Sequence, residues 1–175
     1  MVPPMDERKL RSLVEAWHER ALEEDDQFTR FVFLWFCFNA RLSWESKQGS
    51  DRDMIERLKR QDAGSSQLRA ACDRAMRQSD TFAGHVQVLV EQSPLKKMRP
   101  VRGKGGQETS ISSLDDFASI LEFVYQVRCN LFHGSKSPDD SRDEKLVGAC
   151  SRITESWIGC LVEGWKPSAL AGGQA

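Results

Sequence analysis

Apolar residues recur along this chain at helical rather than alternating spacing. Between charged positions in residues 6–24, Leu10, Leu13, Val14, Trp17 and Leu22 fall close to a 3.6-residue stripe, which predicts an amphipathic helix with its charges toward water. Asp26 is placed to cap a second helix through Phe28, Phe31, Phe33, Leu34, Trp35, Phe36, Phe38, Leu42 and Trp44. That segment is apolar nearly all round, so it belongs at the centre of a bundle or at a subunit interface. Residues 51–62 and 65–78 carry sparse apolar positions (Met54, Ile55, Leu58, Leu68, Ala71, Met76) among many Arg and Asp. They predict short, exposed helices parted at Gly64-Ser65-Ser66.

From Asp80 to Gln92, Phe82, Val86, Val88, Leu89 and Val90 predict a further helix, with a strand left open by the three β-branched valines. Pro94 to Gly106 reads PLKKMRPVRGKGG, with two prolines, three glycines, five basic residues and no acid, which predicts a loop or hairpin. Ser113-Leu114-Asp115-Asp116 has the form of a capping box and predicts a helix that turns Phe117, Ile120, Leu121, Val124 and Val127 inward. That helix ends at Phe132-His133-Gly134, where glycine supplies the left-handed residue. A last helix starts at Ser137-Pro138-Asp139-Asp140, with Leu146, Val147, Ile153, Trp157, Ile158 and Leu161 as its stripe. No period-2 segment is long enough for a sheet and there is no internal repeat. The expectation is an all-α helical bundle of four to five main helices plus short ones. It forms one domain over 1–166, with a basic loop at 93–112 and a disordered tail over 167–175.

The length of 175 residues supports one core, and 39% hydrophobic with 29% charged residues excludes collagen-like, low-complexity and wholly disordered classes. A formal net charge of -1 leaves any affinity for nucleic acid to a local patch. The five cysteines (37, 72, 129, 150 and 160) are odd in number and include no C-x-x-C pair, which argues against a disulfide framework and a zinc ribbon and for a reducing cytosol. The N-terminus has no apolar stretch of signal-peptide type, and the longest apolar run, Phe31 to Phe38, is eight residues. A cytoplasmic protein with no membrane partner is expected.

The stretch richest in chemistry is Val127-Arg128-Cys129-Asn130-Leu131-Phe132-His133-Gly134. Arg128, Asn130 and His133 stand there among apolar neighbours. A guanidinium grips phosphate bidentately, and an imidazole, with its unperturbed pKa of ~6.5, exchanges protons near neutrality. On a straight helix Arg128 and His133 lie about 140° apart around the axis and about 7.5 Å apart along it, so one helix does not aim both at one phosphate. Asn130 and His133, at i and i+3, share a face. A site forms if the last turn unwinds at Gly134 or if a second copy of the helix faces the first. Two-fold pairing would supply a separate acid and base.

At these residues the sequence resembles the HEPN superfamily of small helical-bundle proteins, whose mark is Arg, four to six residues, then His. Here it reads Arg128-Cys129-Asn130-Leu131-Phe132-His133. Two other stretches look like the same family: Phe33-Leu34-Trp35-Phe36-Cys37-Phe38-Asn39, and Arg142-Asp143 followed by Leu146-Val147. The resemblance implies a metal-independent endoribonuclease that dimerises through the motif helix, often a toxin or antiviral effector, in some cases with an antitoxin or nucleotidyltransferase partner. His133 would be the general acid or base and Arg128 the phosphate clamp, with RNA as substrate, no cofactor and no metal. Where family members often carry Asn, Asp or His directly after the Arg, this chain has Cys129, and Asn130 offers a polar group one position later.

Other readings stand beside these. Cys129 and His133, at i and i+4, suit a thiolate–imidazole pair or half a metal site, but no third ligand stands at a recognisable spacing. Lys96, Lys97, Arg99, Arg102 and Lys104 suit either an RNA backbone or a solvated face. His18 and His85 are simplest as surface or core residues of amphipathic helices. The alternatives to the ribonuclease are a noncatalytic HEPN-like module that binds nucleotide or RNA or neutralises a partner enzyme, and a structural helical adaptor.

Overall fold

The computed structural model describes residues 6–78, 80–96, 108–134 and 136–166. These build seven helices and one short hairpin: α1 (Glu7–Leu22), α2 (Gln27–Ser46), α3 (Asp51–Arg60), α4 (Gln67–Gln78), α5 (Asp80–Glu91), β1 (Leu95–Lys96), β2 (Glu108–Thr109), α6 (Phe117–Phe132) and α7 (Ser141–Glu163). The strands pair antiparallel, Leu95 opposite Thr109 and Lys96 opposite Glu108. Lys97, Arg99, Arg102 and Lys104 of the basic loop and the tail from Pro167 lie outside the described residues.

The architecture is the all-α bundle that the periodicity predicts, with α2 and α7 at its centre. α2 packs on α1, α3, α4 and α7, and α7 also receives α4, α5 and α6. Buried side chains from all seven helices merge into one core. Trp157 of α7 sits at its middle, its ring centroid 5.7 Å from Phe38, 6.4 Å from Phe82 and 6.0 Å from Phe117. Aromatic rings at these separations attract one another beyond the area they bury. The segment from Asp80 is helical despite its valines, because Phe82, Val86 and Leu89 at i, i+4 and i+7 all face this core.

Three expectations change in detail. The buried stripe of α1 is Leu10, Val14 and Ala21 with half-buried Trp17. Leu22 stays 51% exposed because it stands one helical step, about 100°, past Ala21. The helices α3 and α4 are less exposed than their charge suggests: Met54, Ile55 and Leu58 of α3 and Leu68, Ala71, Cys72 and Ala75 of α4 reach the core. The N-cap of α6 is Asp116 rather than Ser113. Its carboxylate accepts from the backbone amides of Ala118 (3.1 Å) and Ser119 (3.2 Å), and a carboxylate closer to the helix outcompetes the more distant hydroxyl for those orphan donors.

Asp26 caps α2 as expected, accepting from the Thr29 amide at 2.8 Å and the Thr29 hydroxyl at 2.6 Å. The Thr29 hydroxyl, then its amide, holds the Asp26 carboxyl below its ordinary value. For Asp116, partial burial pushes upward but is outweighed by the bonds from Ser119 and Ala118, and the net direction is again down. A carboxyl with a lowered folded-state pKa adds stability that is complete above its unfolded value of ~3.9 and is lost as pH falls through the folded value. Asp26→Ala is therefore expected to lower the unfolding free energy by about 1 kcal/mol at neutral pH, and the gap to wild type to shrink below pH ~4. Urea denaturation at several pH values measures both; a gap that widens in acid would contradict the assignment.

Candidate active site

The motif helix α6 is enclosed more fully than its stripe predicts. Glu122, Tyr125, Gln126 and Asn130 are buried along with its apolar residues. Glu122 is accommodated because Arg52 of α3 donates to both its carboxylate oxygens, at 2.7 and 2.8 Å, and the Lys59 ammonium also reaches it. A buried carboxylate without such partners would be strongly destabilising. This network fastens α3 along α6 and brings the start of α3 beside the motif.

There Asp51 Oδ2 lies 3.1 Å from Arg128 Nη2. The position of Asp51 follows from the turn before it, where Lys47 adopts a left-handed φ of 58°, Gly49 a φ of 123°, and Ser50 caps α3. The Arg128 guanidinium also lies against two aromatic rings, 5.4 Å from the centroid of Trp35 and 4.8 Å from that of Phe132. Cation–π contact and the ion pair together hold the fork in one orientation, with 22% of the side chain still in solvent. Trp35 in turn stacks on Phe38 at 5.2 Å and meets Tyr125 at 6.1 Å. The aromatic run of α2 is thus the floor under Arg128.

His133 is the C-cap of α6, its amide donating to the Cys129 carbonyl at 3.1 Å, and Gly134 follows at a φ of 71°. Its side chain is exposed. The helix does not unwind before it, so within one chain Arg128 and His133 face different directions. Between them lie Phe132, 47% exposed, and half-buried Cys129. Cys129 is turned toward Arg128, whose Nη1 is 4.0 Å from its sulfur, and toward Tyr125, whose phenol is pushed above its ordinary range by burial and by that thiol.

Asn130 is enclosed rather than open to solvent. It is 3% exposed, accepts from Gln126 Nε2 at 2.7 Å and donates to the Lys96 carbonyl at 3.2 Å. Its amide ties β1 to α6, which places Lys96 beside the motif helix. Arg142 holds the same hairpin from the other side, donating to the Gln92 carbonyl at 2.7 Å and the Pro94 carbonyl at 3.2 Å. Asp143 accepts from the Ser137 amide at 3.0 Å and from Lys136, closing the connection after His133. Trp35 of α2 thus lies against the end of α6, while Arg142 and Asp143 of α7 hold the segments that lead into and out of it. Asp51 was missed in the sequence, because nothing local marks an aspartate at a helix start as the partner of a distant arginine.

The remaining thiols are placed as core. Cys37 donates to the Val14 carbonyl at 3.4 Å, and burial pushes it up to about 12. Burial likewise raises Cys72, Cys150 and Cys160. Among the described residues no group of three or more His, Cys, Asp and Glu is placed to hold a metal ion, and no helix is long and apolar enough to cross a membrane. Comparison with family models, curated proteins and solved structures finds no match to this chain.

Proposed function

We propose that this chain is a metal-independent endoribonuclease of the HEPN type, working in the cytoplasm as a two-fold dimer and serving as a toxin or antiviral effector. The observation that carries the reading is the end of α6 itself: a guanidinium held in place by Asp51, Trp35 and Phe132, and an exposed imidazole one turn and a half further on. The exposed Phe132 between them supports pairing of two copies across this face, which would take its ring out of water.

In such a dimer His133 takes the proton of a ribose 2′-hydroxyl as that oxygen bonds to the adjacent phosphorus. His133 of the partner subunit gives a proton to the 5′-oxygen as the P–O5′ bond breaks. Arg128 offsets the charge that builds on the equatorial oxygens. The products are a 2′,3′-cyclic phosphate and a 5′-hydroxyl. Asn130 acts as a positioning residue through its hold on the hairpin, whose Lys96 and following basic residues track the RNA backbone.

The test compares an RNA with its 2′-deoxy counterpart in excess EDTA. Only the RNA should be cut, leaving cyclic-phosphate ends. Cleavage of both strands alike, or of neither, sinks the proposal. The noncatalytic RNA- or nucleotide-binding reading draws on one observation, that Arg128 already faces Asp51 and is followed by Cys129. It would appear as RNA binding without cleavage.

A further inference from the structure

Away from the motif, three arginines from three helices converge on the indole that follows α7. The guanidinium carbons of Arg11 (α1) and Arg41 (α2) lie 5.5 and 6.0 Å from the centroid of Trp165, and Arg74 (α4) donates Nη2 to the Cys160 carbonyl at 3.2 Å. Gly164 leaves room for this approach, since a Cβ there would sit 3.2 Å from Arg74 Nη2. Two adjoining cavities share Arg11 and Trp165. The inner one, of about 170 Å³, is walled by Arg11, Arg74, Gln67 and Trp165 with no carboxylate. The outer one, of about 460 Å³, adds Ser12, Arg8 and the acids Glu7 and Glu15.

The charges here are not balanced. Arg11 pairs with Glu7 at 2.8 Å and Arg41 with Glu45 at 2.7 Å, while Arg74 has no acidic partner among the described residues. Polar hydrogens are also left over. Arg41, 4% exposed, has Nη1 buried 4.0 Å from Glu7 Oε1 and without a hydrogen-bond partner among the described residues, and Nε of Arg11 and of Arg74 likewise lack one. Buried donors of this kind are rare in a finished core, and two of the three belong to arginines that line the cavities, Arg11 and Arg74.

We propose that these cavities bind a small sugar phosphate. The phosphate takes the inner chamber, where guanidiniums from α1 and α4 face it from two directions; a carboxylate would satisfy only one fork. The chamber has the volume of about five or six waters, room for a phosphate group. The organic part extends into the outer cavity. Its walls, Ser12 and the carboxylates of Glu7 and Glu15, suit hydroxyl groups, and the Trp165 ring is already engaged by two guanidiniums rather than free to stack on a base. The site shares no residue with the Arg128–His133 end of α6.

Calorimetric titration of the full chain with ribose 5-phosphate, inorganic phosphate and ribose tests this. Ribose 5-phosphate should bind, inorganic phosphate about tenfold more weakly, and ribose not measurably. Arg74→Ala should weaken both phosphate probes at least tenfold, and Ser12→Ala should weaken only the sugar phosphate. If Arg74→Ala fails to fold, Arg74→Lys, which keeps the charge but not the fork, should still lose several-fold. Equal affinity for ribose and its phosphate, equal affinity for ribose 5-phosphate and free phosphate, unchanged binding in the Arg74 variants, or no binding of any probe would each overturn the assignment.

Discussion

RNA cleavage in excess EDTA is expected to fall by roughly 10²–10⁴-fold in His133→Ala, the usual contribution of a positioned general acid–base group, while the fold stays intact. The second half of that expectation follows from where the side chain sits. His133 lies at the very end of α6, its backbone makes the capping bond and its imidazole is in solvent, so removing the ring opens no cavity. A melting temperature within a few degrees of wild type would accompany the loss. Arg128 behaves differently, because its guanidinium rests on Trp35 and Phe132 and pairs with Asp51. Arg128→Ala should reduce cleavage and stability together, and Arg128→Lys should retain the charge without the planar fork. Equal cleavage by wild type and His133→Ala would remove the imidazole from the mechanism, whatever Arg128 does.

Trp157→Ala is expected to destabilise the fold by about 3–5 kcal/mol, the range for emptying a buried aromatic site. At roughly 2–4 °C per kcal/mol for a chain of this size, the melting temperature should drop by about 6–20 °C. The magnitude rests on position: the ring is 0% exposed and touches Phe38, Phe82 and Phe117, so its removal separates α2, α5 and α6 from α7 at once. Trp157→Phe should lose much less. It keeps most of the volume and discards an indole N–H that has no hydrogen-bond partner in the core. Leu22→Ala, at a position 51% exposed, should change stability by less than about 0.5 kcal/mol. Thermal melts followed by circular dichroism rank the three. Similar losses for Trp157→Ala and Leu22→Ala would mean that the core lies elsewhere.

Much of the fold was legible because helices are specified over short distances. The stripes of α6 and α7, the cap at Asp26 and the stop at Gly134 depend on residues within a turn or two of one another, and each is where the pattern placed it. The local rules reached their limit where two groups compete for one task. Asp116 and Ser113 both qualify as the cap of α6, and only the actual path of the chain brings Asp116 to the free amides. The same limit applies to α3 and α4, whose charges suggested exposure: a charged stem lies over the core when its head finds a partner, as Arg52 and Lys59 do at Glu122.

The residue types of the candidate site were visible in one string, and their relative positions on α6 followed from helix geometry alone. The partners each residue has there come from segments remote in sequence. Asn130 reads from the sequence as a polar group beside Arg128, and its amide also ties α6 to β1. Arg128 reads from the sequence as a phosphate clamp or as a solvated or salt-bridged arginine, and the folded chain gives it Asp51 and Trp35 as neighbours. The sequence by itself determined the all-α class and the course of most helices, because backbone hydrogen bonding and apolar periodicity act between near neighbours. Only the tertiary structure decided the partners of Arg128, Asn130 and Arg142 and the clustering of Arg11, Arg41 and Arg74 around Trp165, because ion pairs and cavities form between residues that the folded chain, not their spacing along it, brings together.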